Sequence, residues 1–312
     1  MVISGFQQLK DSLRDLPPKR AVVAAAHDEH TLQAVFAARR DGLIQPILVG
    51  HQNEIWDISH KLGEHLEEDQ VVDATDEQDC AERAVQLVRE GRGDLLIKGM
   101  LQTGTILKAV LSKTQGIRSS QVMSHVAILD VPTYHKLLFI TDGGMVVAPD
   151  LEQKRHILNN VVEFCRFLGY ESPKAAALCA VETVSSTMAE TQDAAILKEE
   201  GAQGRFGDCI VEGPISLDLA TDGEVARVKG YHSPVAGDAD ILLVPAIAVG
   251  NVLGKALYGL AGGEMAGVVL GAKVPITVNS RGATAEEKYY SILICSAMCS
   301  PECAQKEEPN VL

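Results

Sequence analysis

The chain has 312 residues, of which 46% are hydrophobic and only 4% aromatic, and its formal net charge is −14. A core of Ala, Val, Leu and Ile suits parallel β-sheet covered by helices, and the length is enough for two α/β domains. The negative charge argues against nucleic acid and anionic membranes as partners, and no apolar run approaches the roughly 20 residues that span a bilayer.

The first part of the chain alternates helical and strand-like patterns. A short amphipathic helix is predicted within residues 1–20, because the charged residues and the Pro17-Pro18 break there do not suit a signal peptide. The elements predicted next are strands at 21–26, 43–50, 71–72 and 94–99, and helices beginning near Leu32, at 53–62, at 77–91 and from Thr103.

The pattern changes after residues 118–120, where we place a change of domain. Asp142-Gly143-Gly144 has the composition of a hairpin-type turn between the strand-like runs at 136–141 and 145–147. The other elements predicted here are helices at 152–168, 191–200 and 251–260, and strands at 126–131, 175–181, 209–213, 241–245 and 267–271. The alternation predicts an α/β fold with largely parallel sheet.

The segment from Val274 to Lys288 has the pattern of a strand, a tight turn and a helix start. Ligands bind at the carboxyl ends of strands in open α/β sheets, and a helix N-terminus offers free N–H groups to an anion. Arg281 adds a fork of donors suited to phosphate. Glu287 would face the same pocket if the helix begins near Thr284, although an acid in the first turn can equally serve only the helix dipole.

Two lysines earlier in the chain are candidates for the same edge of the sheet. Lys98 ends a predicted strand and Lys108 lies early in the next helix, so both can face the carboxyl edge of the sheet. Surface lysines with solvated ammonium groups are an equally good interpretation of both residues.

A glycine-rich segment and a pair of histidines resemble ligand-binding motifs but have structural explanations. The glycines of residues 201–207 follow a helix and precede a strand, the reverse of a phosphate-binding fingerprint, so they predict a loop that ends a helix. His27 and His30 have the spacing of metal ligands, but a strand-to-helix junction with Asp28 near the helix dipole explains them without a third ligand.

Two further patterns are also interpreted structurally. Cys295, Cys299 and Cys303 recur every four residues, yet free thiols are the preferred interpretation because metal sites ask for more ligands or another spacing. Ser124 and His125 are neighbours on a predicted strand, so their side chains point to opposite faces and do not form a hydrolase dyad.

Four sequence blocks in this order resemble the phosphate acetyltransferase and phosphate butyryltransferase family, with the butyryl-type branch nearer: residues 137–154, 179–184, 233–245 with Gly250-Asn251, and 280–282. The resemblance implies two α/β domains akin to the isocitrate and isopropylmalate dehydrogenases, an active site in the interdomain cleft, and usually a homodimer. On that basis we predict a first domain of residues 1–127 with 272–312, and a second, dimerising domain of residues 128–271.

The resemblance also implies the reaction of an acyl-CoA with phosphate to give an acyl phosphate and CoA. In the family, a serine and an arginine of this turn contact the acyl phosphate, and an acid seven residues after the serine is proposed as the base for the CoA thiol. These positions are Ser280, Arg281 and Glu287. A thiol with a pKa of about 8.5 needs such a base, and the oxyanion and departing phosphate need donors and positive charge. We predict Lys98, Lys108, Ser124 and Asn251 as substrate-binding residues.

The chain departs from the pattern expected of the family in three segments. Glu287 stands where acetyl-type members have Asp, and Lys108 stands where many have a phosphate-binding arginine. Ala246 and Ala248 replace acids that commonly precede Gly250-Asn251. We expect these departures to bear on acyl-chain preference or on activity itself.

The sequence thus predicts a cytoplasmic phosphate acyltransferase that acts on a short-chain acyl-CoA by direct thiolate attack, with CoA as a substrate and without a cofactor or metal ion. One alternative is an NAD- and metal-dependent dehydrogenase of the same fold, which would need clustered aspartates for Mg²⁺. Another is a catalytically weak paralogue that binds acyl-CoA or a partner protein. Seven cysteines, an odd number, favour a reducing compartment.

Overall fold

The computed structural model describes residues 3–13 and 16–299. The chain divides into two compact units. The first unit contains Phe6–Ser120 and the chain from Ala266 onward, and the second contains Gln121–Met265 together with residues 3–5. Both boundaries lie a few residues before the predicted ones. The identity of these units with independent domains stays a prediction.

The secondary structure alternates as the sequence predicts. The first unit begins with α1 (Phe6–Ser12), β1 (Lys19–Ala24), α2 (Glu29–Arg40), β2 (Ile44–Gly50), α3 (Gln52–Lys61), β3 (Val71–Asp73), α4 (Glu77–Arg89), β4 (Leu95–Lys98) and α5 (Thr103–Val110). The second unit contains β5 (Ser124–Asp130), β6 (Leu138–Thr141), α6 (Leu151–Phe167), β7 (Lys174–Leu178), α7 (Ala189–Ala202), β8 (Ile210–Ile215), α8 (Leu217–Thr221), α9 (Gly223–Lys229), β9 (Ile241–Leu243) and α10 (Ile247–Gly259). The chain then forms β10 (Glu264–Leu270), β11 (Ile276–Thr277) and α11 (Ala285–Met298).

The strands of the first unit follow the order β3-β2-β1-β4-β11-β10. All neighbours are parallel except β10, which runs antiparallel to β11. The carboxyl ends of β1, β4 and β11 therefore lie at one edge of the sheet. The chain crosses from β1 to β2 on one side and reaches β4 on the other, so this edge is a topological switch point, where open α/β sheets bind ligands.

The strands of the second unit follow the order β5-β6-β9-β7-β8. β5 and β6 are antiparallel, and the remaining pairs are parallel. Their inner faces bury small and branched apolar side chains, among them Leu129, Ile140 and Leu242. Together the units confirm a mixed α/β fold with mostly parallel sheet.

The predicted hairpin at Asp142-Gly143-Gly144 is wrong. Residues 142–150 are irregular, and no strand forms at 145–147. The Asp142 carboxylate is buried and accepts hydrogen bonds from four backbone N–H groups, those of His125, Gly144, Met145 and Val146. Because this side chain takes up donors that a strand ladder would use, the segment closes on itself and leads to α6 instead.

The glycine-rich segment behaves as predicted. Helix α7 ends at Ala202, and Gly204 and Gly207 adopt positive φ angles of 82° and 60° in the loop before β8. Left-handed backbone suits glycine, so this loop needs no ligand to explain its composition. Among the described residues, no helix has the length and apolarity needed to cross a bilayer.

Candidate functional site

The turn between β11 and α11, in the first unit, is held by strand pairing with β4 and by hydrogen bonds to α11. Thr277 pairs with Ile97 of β4, which aligns the ends of the two strands. Past the strand, the buried Asn279 amide donates hydrogen bonds to the Ser291 hydroxyl at 2.9 Å and to the Glu287 carbonyl at 3.5 Å. The residues that follow Asn279, including Ser280 and Arg281, are therefore presented by a turn that is anchored on α11.

Helix α11 begins where the sequence predicts. Thr284 is its N-cap, and its hydroxyl accepts from the Glu287 backbone N–H at 3.2 Å. In return, the Glu287 carboxylate accepts from the Thr284 N–H at 3.0 Å, which completes a capping box. The side chain of Glu287 is buried and serves the helix end. Its role as a base stays a prediction.

Ser280 and Arg281 are exposed at the tip of the turn. The Ser280 hydroxyl accepts a long hydrogen bond, 3.4 Å, from the Gly282 N–H. Within residues 3–13 and 16–299, no carboxylate forms an ion pair with Arg281. The N–H groups of the Arg281 guanidinium are therefore available to bind another partner.

Lys98 lies at the end of β4 and is only 2% exposed, so the solvated interpretation of this lysine is wrong. Its Nζ donates to the Asn279 carbonyl at 3.1 Å and to the Gly99 carbonyl at 3.4 Å. Gly99 allows a close backbone crossing, since a Cβ there would lie 2.2 Å from the Ala25 carbonyl oxygen. Lys98 thus ties the end of β4 to the turn that carries Ser280 and Arg281.

Three cationic side chains, those of Lys98, Lys288 and Arg281, lie near one another in a chain whose net charge is negative. Burial, followed by the nearby charges of Lys288 and Arg281, lowers the pKa of Lys98 to about 8, against the opposing effects of Asp28 and Glu77. A cationic group whose charged form is disfavoured in this way gains from an added anion. An anion bound at this edge of the sheet would relieve that repulsion.

Lys288 and Asp28 form a buried pair beside the turn. The Nζ of Lys288 donates to the Thr31 hydroxyl at 2.6 Å and approaches an Asp28 carboxylate oxygen at 3.4 Å. Asp28 caps α2, as expected of a strand-to-helix junction, by accepting from the Thr31 N–H. Its other oxygen, Oδ2, is buried without a hydrogen-bond partner. Sequence reasoning missed this pair because 260 positions separate its members.

The remaining predicted substrate-binding residues have different surroundings. Lys108 is exposed on α5 and lines a groove between α4 and α5. Ser124 and Asn251 belong to the second unit. Ser124 is fully buried and its hydroxyl accepts from the Asn160 amide at 2.9 Å, whereas Asn251 is exposed and its amide donates to the Gly143 carbonyl at 3.4 Å. Their roles in substrate binding stay predictions.

The His27 side chain stacks on His51, with ring centroids 4.5 Å apart. Cys295 and Cys299 lie on and just after the end of α11 as free thiols, whereas Cys303 lies outside the described residues. Burial raises the pKa of Cys299 to about 12. In the described part of the chain, no three His, Cys, Asp or Glu side chains are grouped as metal ligands.

A model of the family described as phosphate acetyl/butaryl transferase matches residues 74–296. The phosphate butyryltransferase of Clostridium acetobutylicum is 36% identical over 295 residues, which cover 95% of this chain and 98% of that protein. The phosphate acetyltransferase of Thermotoga maritima is 38% identical over 276 residues, covering 88% of this chain and 94% of that protein.

Solved structures show the same likeness. A branched-chain phosphotransacylase from Enterococcus faecalis V583 superposes with a TM-score of 0.79 at 31% identity, covering 90% of this chain and 99% of that one. A 4-hydroxythreonine-4-phosphate dehydrogenase from Klebsiella pneumoniae has a TM-score of 0.52 at 12% identity, covering 91% of this chain and 100% of that one. The second match concerns the fold alone and supports the predicted dehydrogenase-like architecture.

Proposed function

Since the chain belongs to the phosphate acetyl/butyryl transferase family and is therefore an acyltransferase, we propose that it interconverts a short-chain acyl-CoA and phosphate with an acyl phosphate and CoA. The observation that carries this proposal is the cationic turn of the first unit. There, Lys98 lies beneath Ser280 and Arg281, and its charge is uncompensated by any carboxylate in direct contact among the described residues.

The cationic groups suit the phosphate side of the reaction. Arg281 is exposed and can donate two parallel hydrogen bonds to phosphate oxygens. Lys98 is buried and supplies positive charge rather than direct contact, whereas the charge of the buried Lys288 is partly balanced by Asp28. The low effective dielectric constant around a buried ammonium group strengthens its attraction for an anion. A phosphate with two negative charges is therefore favoured at this edge despite the negative net charge of the chain.

The acyl transfer then needs one proton to move from sulfur to phosphate oxygen. In the direction of acyl-CoA synthesis, Glu287 accepts the thiol proton as sulfur attacks the carbonyl carbon. The C–S bond forms, the carbonyl oxygen becomes an oxyanion that the Ser280 hydroxyl stabilises, and the C–O bond to phosphate breaks. As the C=O bond re-forms, phosphate leaves with the electron pair of the broken C–O bond and takes up the proton that Glu287 accepted, and Arg281 neutralises part of its charge.

Direct attack is favoured over a covalent cysteine intermediate. Nucleophilic cysteines need a lowered pKa. In this chain, burial raises the pKa of Cys80 and Cys179 to about 11, and that of Cys209 to about 12. These thiols are protonated at neutral pH and do not resemble activated nucleophiles.

We also propose a homodimer and a cytoplasmic location. Val252 of helix α10 and Leu260, which directly follows that helix, are 67% and 89% accessible, and such apolar surface is typical of association sites. The described cysteines are all free, as in reducing compartments. Light scattering on purified protein tests the first proposal, and a monomeric mass at micromolar concentration would refute it.

The function is tested by release of free CoA thiol from acetyl-, propionyl- and butyryl-CoA with added phosphate, without divalent metal or NAD. Release that depends on added phosphate, with at least one thioester, supports the transferase. The dehydrogenase alternative would require metal and NAD for any turnover, and the weak paralogue would bind acyl-CoA without turning it over.

The KM for phosphate is expected to rise as pH increases through about 8, because the Lys98 ammonium, whose pKa is about 8, is charged below that pH and neutral above it. Steady-state assays between pH 7 and pH 9.5 check this. Lys98→Met should raise the KM at pH 7 and abolish the rise. A rise that persists unchanged in Lys98→Met would assign it to another group.

A further inference from the structure

Three buried charged residues, Asp28, Lys98 and Lys288, meet at the carboxyl edge of the sheet in the first unit. Lys98 pairs in register with Ala24 of β1, four residues before Asp28. Lys288 lies in the first turn of α11, which follows β11, the other neighbour of β4. The three groups therefore come from the ends of three adjacent strands, and none is more than 9% exposed.

Capping of α2 does not by itself require a charged residue at position 28. The Oδ1 atom of Asp28 accepts from the Thr31 N–H at 2.9 Å, a bond that a neutral Asn or Ser makes equally well at a helix N-cap. The Oδ2 atom is buried without a hydrogen-bond partner, which is costly for a carboxylate. A favourable interaction of the negative charge offsets that cost, and the cation in contact is Lys288, whose Nζ lies 3.4 Å from Oδ1.

The charge of Asp28 also acts on Lys98. Burial, followed by the charges of Lys288 and Arg281, lowers the pKa of Lys98, and the charges of the two acids Asp28 and Glu77 oppose that effect. Asp28 is the more deeply buried of these acids, so solvent and salt screen its charge less than that of Glu77. Removing the charge of Asp28 would leave the two buried lysines to repel each other more strongly.

We propose that Asp28 is a positioning residue of the phosphate site, which holds Lys288 and balances its charge so that Lys98 stays positively charged at neutral pH. The inference rests on the proposed function, in which the charge of Lys98 attracts phosphate. Asp28 acts through the two lysines and does not itself contact phosphate. A neutral residue at this position preserves the helix start and weakens the site for the anion.

Asp28→Asn tests the proposal, because it removes the charge and keeps an oxygen that can cap α2. The KM for phosphate at pH 7 is expected to rise about two- to tenfold, and the pH above which this KM rises should fall by about one to two units, since a cation that loses a neighbouring anion is charged only at lower pH. The kcat should be unchanged. Asp222→Asn is the matched control, because Asp222 caps α9 in the second unit and loses the same charge.

Two further variants separate the charge of Asp28 from a structural role. Lys288→Gln removes a repelling cation and should move the pH profile of the KM for phosphate above that of wild type. Adding Asp28→Asn to Lys288→Gln should lower the profile again by about one unit. This comparison isolates the charge of Asp28 even if Asp28→Asn alone does not fold, and the titration of phosphate itself is common to all the variants.

Three outcomes would overturn the proposal. The first is a pH profile that does not change when Asp28 is neutralised, with or without Lys288→Gln. The second is a KM that rises by the same factor at every pH, which indicates lost structure. The third is a large fall in kcat at every pH, which would make Asp28 a base rather than a positioning residue.

Two histidines lie near Asp28 and need a control of their own. Burial and the charge of His51 lower the pKa of His27, the residue before Asp28, so its ring is uncharged between pH 7 and pH 9.5. His51 stacks on His27, and its hydrogen bond to Glu54 raises its pKa. His51→Gln is expected to leave the pH profile unchanged, because Glu54, 2.8 Å from His51, balances the charge of that ring.

If the wild-type protein turns over no thioester, the proposed function fails and the effect of Asp28 on Lys98 is decided by NMR of protein labelled with carbon-13 at lysine Cε. The resonance that Lys98→Met removes should titrate near pH 8 in wild type and about one to two units lower in Asp28→Asn. The same titration in both proteins rejects the proposal without reference to activity.

Discussion

Replacing Arg281 by alanine is expected to raise the KM for phosphate by about fifty- to hundredfold, the worth of a bidentate charge-assisted contact of about 2 to 3 kcal/mol. The side chain is exposed at the tip of the β11–α11 turn and caps no helix, so its removal should leave the fold intact. Initial rates at varied phosphate, with acyl-CoA saturating, measure the effect, and a matching thermal transition confirms folding.

Arg281→Lys separates charge from geometry. Lysine keeps the positive charge and loses the planar fork, so its KM should lie between those of wild type and Arg281→Ala. Arg92→Ala controls for loss of a surface cation and should behave as wild type. A KM for phosphate that is unchanged in Arg281→Ala would remove this residue from the phosphate site.

Replacing Glu287 by glutamine is expected to lower kcat by roughly 100- to 10,000-fold, the usual contribution of general acid–base catalysis, with little change in KM. The substitution suits this site because glutamine can also close a capping box with Thr284. The helix start is therefore preserved while the carboxylate that would accept the thiol proton is lost.

Two outcomes would separate catalysis from capping. A fall in kcat without a change in melting temperature supports Glu287 as the base. An unchanged kcat would leave the carboxylate with its capping role alone. Attention would then pass to Asp28, whose buried Oδ2 has no hydrogen-bond partner and which lies beside Lys288, the neighbour of Glu287 in the chain.

Much of the fold follows from local sequence pattern. The strand, turn and helix around Ser280 and Arg281 were predictable because β-branched residues end at a polar turn and Thr284 has the spacing of a capping box with Glu287. The loop after α7 was predictable from its glycines. Each of these features depends on neighbours in sequence.

The failures involve interactions between distant residues or very short elements. The Asp142-Gly143-Gly144 segment has the composition of a hairpin, but the Asp142 carboxylate satisfies backbone donors that include the N–H of His125, 17 positions away. Helices α8 and α9 were missed because they contain only five and seven residues, too few for a periodic pattern.

The candidate site was predictable only in part. Lys98 and Arg281 stand at strand ends that local pattern identifies, but the burial of Lys98 depends on the Asn279 carbonyl, 181 positions later. No local sequence pattern indicates that Lys288 pairs with Asp28, because the pair joins the first turn of α11 to the N-cap of α2. Alignment of parallel strands, rather than sequence spacing, brings these groups together.

Acyl transfer between CoA and phosphate is decided by phosphate-dependent formation of acyl phosphate. Purified protein is incubated with butyryl-CoA, with and without phosphate, and both the released thiol and the acyl phosphate trapped by hydroxylamine are quantified. A phosphate acyltransferase should release thiol only when phosphate is present, with one acyl phosphate formed for each CoA. Thiol release that does not depend on phosphate, or no release with any short-chain acyl-CoA, would contradict it.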